Sequence, residues 1–88
     1  MKILYYKSFE KDLSRIKDPK LSLAVEFAIK QIKLANTLSE MSNVKKMKGY
    51  KSAYRIRIGD HRIGFLFDGD AVCLAAIGDR KNFYKSFP

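Results

Sequence analysis

The 88-residue sequence contains few of the residues that build covalent or metal-held sites. Its only cysteine, Cys73, cannot form an intramolecular disulfide, and it lies in an apolar run that predicts a buried position. There is no Cys/His metal constellation, Gly-rich phosphate-binding motif, Ser/His/Asp set or pair of carboxylates at a marked spacing. We therefore expect no cofactor and no metal, and metal-dependent nuclease chemistry is disfavoured.

The sequence also lacks a long apolar stretch. Its N-terminal run, residues 3–6, is too short for a signal peptide, and no segment approaches the about 20 residues that a membrane-spanning helix needs. Hydrophobic residues nevertheless make up 47% of the chain, which is enough for one modest core. We expect a cytoplasmic protein, not associated with a membrane, that forms a single domain over residues 1–88.

Acidic residues are scarce. Nine Asp and Glu stand against 18 Lys and Arg, so the net charge is +9, and nucleic acid is the first partner to consider. The excess is concentrated between residues 45 and 62, where Asp60 is the only acid. The basic residues of this stretch are Lys45, Lys46, Lys48, Lys51, Arg55, Arg57 and Arg62. A localised basic patch follows, although a basic surface that only maintains solubility is the alternative.

The first half of the chain predicts a strand and two helices. Residues 3–6 favour a strand, and a helix over 9–17 follows with Ser8 as its N-cap. Asp18-Pro19 ends that helix and begins a second one, which runs to about Asn36 with Asp18 as cap. The second helix has apolar residues at spacings of four and three, namely Leu21, Val25, Ala28, Ile32 and Ala35. These positions predict one buried face and an antiparallel helical hairpin.

The second half predicts strands joined by short turns. After a loop over 37–43, strands are expected at 44–47, 53–58, 61–67 and 71–77. Gly59-Asp60 marks a tight hairpin. The continuous apolar run over 71–77 predicts a central strand covered on both faces. The fold class is therefore α+β, with an N-terminal strand and a helical hairpin on one face of a small, mainly antiparallel sheet of about four strands.

Three arginines of the central hairpin are predicted to share a surface. Alternation in the strand 53–58 places Arg55 and Arg57 together on the face away from the core. A simple register across the two-residue turn adds Arg62 to that face. Guanidinium groups match phosphate oxygens and stay charged, so this cluster suits holding a phosphodiester and stabilising its transition state. The same alternation is also typical of a solvated edge strand, and both interpretations stay open.

The C-terminal tail and the only histidine supply further candidates. Arg80 and Tyr84 would project from one side of the tail if it is helical, where Tyr84 could stack on a base or bind a phosphate. Alternatively, Tyr84 attaches the C-terminal segment to the sheet. His61 points away from the arginine face by simple alternation, which favours a packing or turn role over catalysis.

Two segments together resemble the RelE/ParE toxin superfamily of bacterial type II toxin–antitoxin systems; they read YRIRIGDHRI at 54–63 and IGDRKNFY at 77–84. The order of elements also agrees over nearly the whole chain. For the RelE branch, the resemblance implies metal-free cleavage of mRNA in the ribosomal A site. There the 2′-hydroxyl attacks the adjacent phosphate and leaves a 2′,3′-cyclic phosphate and a 5′-hydroxyl. For the ParE branch, it implies poisoning of DNA gyrase on a closely similar fold.

The resemblance also implies a catalytic set. By position, Arg55 and Arg57 match the family's pair of basic strand residues, Arg62 its phosphate-clamping arginine, Arg80 its second arginine and Tyr84 its C-terminal aromatic. The best-known RelE toxins carry lysine at the first two positions, whereas arginine effectively cannot lose its proton. We therefore assign Arg55 and Arg57 to orientation and charge stabilisation. The role of general base is left to Tyr84, to His61 or to a ribosomal group.

The leading hypothesis is a toxin that acts as a ribosome-dependent endoribonuclease on mRNA. Lys45, Lys46, Lys48 and Lys51 would bind RNA backbone without taking part in catalysis. A ParE-like gyrase inhibitor and a non-catalytic RNA-binding family member are the alternatives. The expected protein partner is a cognate antitoxin, whose acidic, amphipathic segment would fold onto the apolar stripe of the helices and the basic groove.

Overall fold

The computed structural model describes all 88 residues and contains one five-stranded sheet. The strands are β1 (Lys2–Tyr5), β2 (Val44–Lys46), β3 (Ala53–Ile58), β4 (His61–Phe67) and β5 (Ala71–Asp79). Their order is β1-β5-β4-β3-β2, and every neighbouring pair is antiparallel except β1 with β5, which is parallel. The predicted α+β class is confirmed, with five strands rather than about four.

Two helices, α1 (Lys7–Ser14) and α2 (Pro19–Leu34), pack on one face of this sheet, and a short helix, α3 (Phe83–Ser86), follows β5. A single 3₁₀ turn lies between α2 and β2. The Asp18 cap is confirmed, because its carboxylate accepts a hydrogen bond from the Lys20 N–H at 3.0 Å. The Ser8 cap is wrong: Ser8 lies inside α1, which begins and ends earlier than expected.

Ser8 instead binds a backbone carbonyl at an irregular position of β5. β5 contains a β-bulge in which Ala75 has no partner on β4. The Ser8 hydroxyl donates to the Ala75 carbonyl at 2.6 Å, and the Asp12 carboxylate accepts from the Ile77 N–H at 3.0 Å. Polar side chains of α1 thus satisfy backbone groups next to the bulge, which would otherwise be costly to bury.

The main core lies between the helices and the sheet. It comprises Phe9, Val25, Ala28, Ile32, Ile56, Ile63, Phe65, Val72 and Leu74. Strand β5 is an interior strand between β1 and β4, and residues 71–76 are buried without exception, Cys73 among them, as the apolar run predicted. At the sheet edge, the Met1 ammonium donates to the carbonyls of Ile32, Lys33 and Ala35, so it caps the C-terminal end of α2.

The opposite face of the sheet, which we call the outer face, is lined by small residues where α3 covers it. Phe83 and Phe87 are buried there in a second cluster with Ala53, Ala75 and Ala76. A Cβ at Gly64 would lie 2.6–2.8 Å from the Phe87 ring, and one at Gly78 would lie 3.0 Å from the Phe83 Cα. The absence of side chains at these two glycines therefore lets the C-terminal segment lie flat on the strands.

None of the helices combines the length and the apolar character that crossing a membrane requires.

Candidate nucleic-acid interface

An open cavity of about 840 Å³ lies where the β2–β3 loop meets α3. We call it the basic cavity. It is lined by Lys45, Lys46, Met47, Lys48, Gly49, Tyr50, Lys51, Arg55 and Tyr84. Five of these nine residues are cationic and none is acidic. The cavity therefore presents a positive potential with no internal carboxylate to neutralise it, and it favours a polyanion.

The loop that forms one side of the cavity is shaped by a β-turn. The Tyr50 N–H donates to the Met47 carbonyl at 3.2 Å, and Gly49, the third residue of this turn, has φ +86°. That positive φ is the requirement of a type II turn, and glycine meets it without strain. The turn leaves the Tyr50 ring about half exposed (51%) at the cavity.

Arg55 contributes to the cavity from strand β3. Its Nη1 donates to the Asn43 carbonyl at 3.1 Å, and the Arg57 N–H donates to the same carbonyl at 3.1 Å. Asn43 is the only residue other than glycine with a positive φ (61°), and it lies immediately before β2. The guanidinium of Arg55 is thus oriented by one backbone acceptor while its remaining donors stay available.

Tyr84 reaches the same cavity from α3. Its neighbour Phe83 is fully buried on the outer face and meets the Tyr84 ring edge to face, with centroids 5.0 Å apart. The Tyr84 ring itself is half exposed. Phe83 and Phe87 therefore attach the C-terminal segment to the sheet and fix the position of Tyr84. The Tyr84 ring stays available for a ligand.

The other predicted arginines lie outside the basic cavity. Arg57 and Arg62 are direct cross-strand partners, so the predicted common face of the three strand arginines is confirmed. Arg57 is exposed and borders a separate cavity between α2 and β3. Arg80 is exposed in the turn after β5, where its N–H donates to the Asp60 carbonyl at 2.7 Å. Because α3 begins only at Phe83, Arg80 and Tyr84 do not share a helix as their spacing suggested.

Arg62 is the one charged residue that is buried, with 9% of its surface exposed. Its Nη1 donates to the carbonyls of Gly59 at 3.1 Å and His61 at 3.0 Å, so the side chain folds back over its own turn. Its Nε is buried without any hydrogen-bond partner. An unsatisfied buried donor of a charged group is costly to the fold.

His61 lies on the helix side of β4, away from the arginine face, as alternation predicted. It lines a cavity with Asp12, Asp79 and residues of both helices. Hydrogen bonds from the Asn82 backbone and side chain, with smaller contributions from the Lys81 N–H and the nearby His61, hold the pKa of Asp79 below its ordinary value. No group of three or more His, Cys, Asp or Glu side chains is placed to hold a metal ion.

Sequence reasoning did not single out Tyr50 or Asn43. The signal for Tyr50 was the Gly49-Tyr50 pair directly after the lysine run, which marked a turn but gave no direction for the ring. Asn43 acts through its carbonyl, and a main-chain acceptor leaves little trace in a sequence.

A second feature of the surface is an apolar stripe on α2. Leu23, Phe27 and Leu34 lie on one side of the helix, opposite its buried face, and are 65%, 63% and 83% exposed. An exposed apolar patch of this kind typically marks a protein-interaction site. Phe27 thus points to solvent.

The fold and the cationic outer face define a small toxin of the RelE/ParE type. The family described as ParE toxin of type II toxin–antitoxin system, parDE, matches residues 3–84. The chain is 35% identical over 89 residues to Toxin RelE3 of Methanocaldococcus jannaschii, with all of both proteins covered. It therefore belongs to the RelE/ParE toxin superfamily.

Solved structures agree with this assignment. The RelB–RelE antitoxin–toxin complex of Methanococcus jannaschii matches with TM-score 0.81 and 33% identity, covering 97% of this chain and 99% of that one. The YoeB dimer of Staphylococcus aureus shares the fold, with TM-score 0.70, 19% identity and coverage of 86% and 92%.

Proposed function

We propose that this toxin is a ribosome-dependent endoribonuclease that cleaves mRNA by attack of the 2′-hydroxyl on the adjacent phosphodiester. The observation that carries the proposal is the basic cavity, which joins Arg55, Tyr84 and four lysines with no carboxylate among them. A nucleic acid backbone is the ligand that this combination of cations and aromatic rings favours.

The arginines have separate roles in this proposal. Arg55 and Arg57 hold and orient the phosphodiester, because neither can act as a base. Arg62 stabilises the charge that develops on the phosphate oxygens, and the Gly59 and His61 carbonyls hold its guanidinium in place. Arg80 lies at the hairpin end of the outer face and would bind backbone beyond the scissile bond. Lys45, Lys46, Lys48 and Lys51 bind RNA along the loop.

Proton transfer falls to Tyr84 or to a ribosomal group. His61 lies on the helix side of the sheet and does not line the basic cavity, which argues against it as the base. Tyr84 does line the cavity together with Arg55.

The test is a translation assay on ribosomes with mapping of cut sites in the message. Wild-type protein is expected to cut, and Arg62→Ala to lose cutting. Because Arg62 is buried, Arg55→Ala serves as a second variant that leaves the turn intact, and Arg15→Ala, an exposed arginine at the end of α1, is the matched control. Identical, uncut messages from wild type and Arg62→Ala would refute the proposal.

Gyrase inhibition is the second candidate, since the matching family is described by its ParE toxins. Accumulation of cleaved DNA complexes on supercoiled DNA, with translation unaffected, would select it. A protein that binds RNA without cutting it, and whose induction causes no growth arrest, would instead be a non-catalytic family member.

We also propose a cognate antitoxin as the protein partner. The similar Methanococcus jannaschii structure is a RelB–RelE antitoxin–toxin complex, and the exposed stripe of Leu23, Phe27 and Leu34 supplies an apolar surface for an amphipathic segment. Such a segment is expected to be acidic, because this chain carries +9. Co-expression with the product of an adjoining acidic reading frame should restore growth, and Phe27→Glu should weaken that rescue without reducing toxicity.

A further inference from the structure

We propose that Tyr50 is a base-stacking residue of the basic cavity, which with Tyr84 makes the cavity specific for unpaired RNA. This inference rests on the proposed function, since it names the form of the substrate that the same site accepts. It assigns a role to a residue that belongs neither to the catalytic set nor to the lysine run.

The first observation is the placement of the two rings. Tyr50 and Tyr84 line one cavity, although they come from the β2–β3 loop and from α3, which are far apart in the chain. Each is 51% exposed, and Tyr50 belongs to neither core cluster. A large aromatic ring held half in water gains little from the fold itself, so its placement at a cationic cavity indicates a ligand with a flat apolar face.

The second observation is that the backbone at each ring is held in place. Tyr50 follows Gly49 in a hydrogen-bonded turn, and Tyr84 is held by the buried Phe83 and the covered C-terminal segment. Rigid aromatic side chains lose little conformational freedom on contact, which makes them effective stacking platforms.

The third observation is the order of charges around Tyr50. Lys48 and Lys51 stand on either side of it in the loop, and Lys45 and Arg55 are cross-strand partners that line the same cavity. Cations that follow a backbone, interleaved with aromatic rings, are the arrangement of single-strand binding surfaces. The bases of a duplex are already stacked on one another, so only an unpaired stretch can offer its base faces to Tyr50.

The experiment measures binding of a short fluorescently labelled single-stranded RNA by anisotropy at fixed salt. Tyr50→Ala is expected to weaken binding about 5- to 150-fold, the range that corresponds to about 1–3 kcal/mol of stacking. Tyr50→Phe keeps the ring and should stay within about twofold of wild type. Tyr5→Ala is the matched control, because Tyr5 is similarly exposed (44%) but lies on β1, at the opposite edge of the sheet. A fully paired duplex of the same sequence should bind wild type and Tyr50→Ala alike.

Abasic substitutions in the RNA separate stacking from a structural effect. At the nucleotide that contacts Tyr50, removal of the base should weaken wild type but have no further effect on Tyr50→Ala. The inference is overturned if Tyr50→Ala binds like wild type, if it loses the same factor on every abasic RNA, or if wild type shows no binding or prefers the duplex. Tighter binding of an acidic peptide, competing with RNA and independent of Tyr50, also overturns it.

A cleavage assay on ribosomes distinguishes failure of the stacking proposal from failure of the nuclease proposal. If wild type cuts messages and Tyr50→Ala cuts them at the same rate, the stacking role fails while the nuclease stands. If wild type cuts nothing but the single-strand and abasic results hold, the nuclease proposal fails and the binding role stands.

Discussion

Replacing Gly64 by alanine tests whether the C-terminal segment can pack on the sheet only because Gly64 has no side chain. Gly64 has no positive φ, so alanine meets no backbone strain there. In a strand interior, alanine is normally favoured over glycine by roughly 0.5–1 kcal/mol. At this position, however, the new Cβ would lie 2.6–2.8 Å from the Phe87 ring, closer than side chains tolerate.

The steric effect should outweigh the gain from the backbone. Overpacking of a buried contact costs typically 1–3 kcal/mol, and Phe87 is 6% exposed with its ring close to that of Phe83. Gly64→Ala should therefore lower the free energy of unfolding by up to about 2.5 kcal/mol in urea titrations, which is the steric cost less the backbone gain. In a Phe87→Ala background, the same substitution should raise it by up to about 1 kcal/mol, because the clash is gone.

The double-mutant cycle measures whether the effect of Gly64→Ala depends on the Phe87 ring. A coupling free energy of about 1–3 kcal/mol, equal to the steric cost, is expected, with reversal of sign between the two backgrounds. If Gly64→Ala has the same effect with and without Phe87, the close approach does not position the C-terminal segment, and the account of how Tyr84 is held is wrong.

Three further predictions concern α1, α2 and the tail. Ser8→Ala should cost about 0.5–1.5 kcal/mol in urea unfolding, because the bulge carbonyl of Ala75 loses its donor; no change would show that water replaces the hydroxyl. Asp18→Ala should cost about 0.5–2 kcal/mol and Asp18→Asn distinctly less, as both are caps; equal losses would exclude a capping role. The lowered pKa of Asp79 means that its ionised form favours the folded state at any pH above the ordinary value of 3.8. The stability difference between wild type and Asp79→Ala should therefore shrink as the pH falls below 3.8, and a constant difference would contradict it.

The parts of the fold that local chemistry determines could be predicted from the sequence. Asp18-Pro19 starts α2 because a carboxylate cap and a proline at the first helical position both act within one turn. The Gly59-Asp60 hairpin and the burial of β5 were predictable for the same reason, since a glycine with positive φ and a continuous apolar run are local signals.

Features that depend on distant partners could not be predicted. The bulge at Ala75 comes from the pairing of β5 with β4, and the Ser8 hydroxyl that binds its carbonyl is 67 residues away in the chain. Alternation placed Arg62 on the correct face but could not show that its side chain folds back onto the carbonyl of Gly59. The position of Tyr50 at the same cavity as Tyr84 could not be predicted, because it depends on where α3 packs on the sheet.

The pairing of β5 with both β1 and β4 also sets the timing of folding during synthesis. β5 is the last strand to be synthesised, and about 70 residues separate β1 from this parallel partner. Contacts so distant in sequence form slowly, because the chain must first close a long loop. Since Phe83, Tyr84 and Phe87 follow β5, the basic cavity is completed only after the sheet. A growing chain therefore lacks the finished basic cavity until residues 71–87 are free to fold.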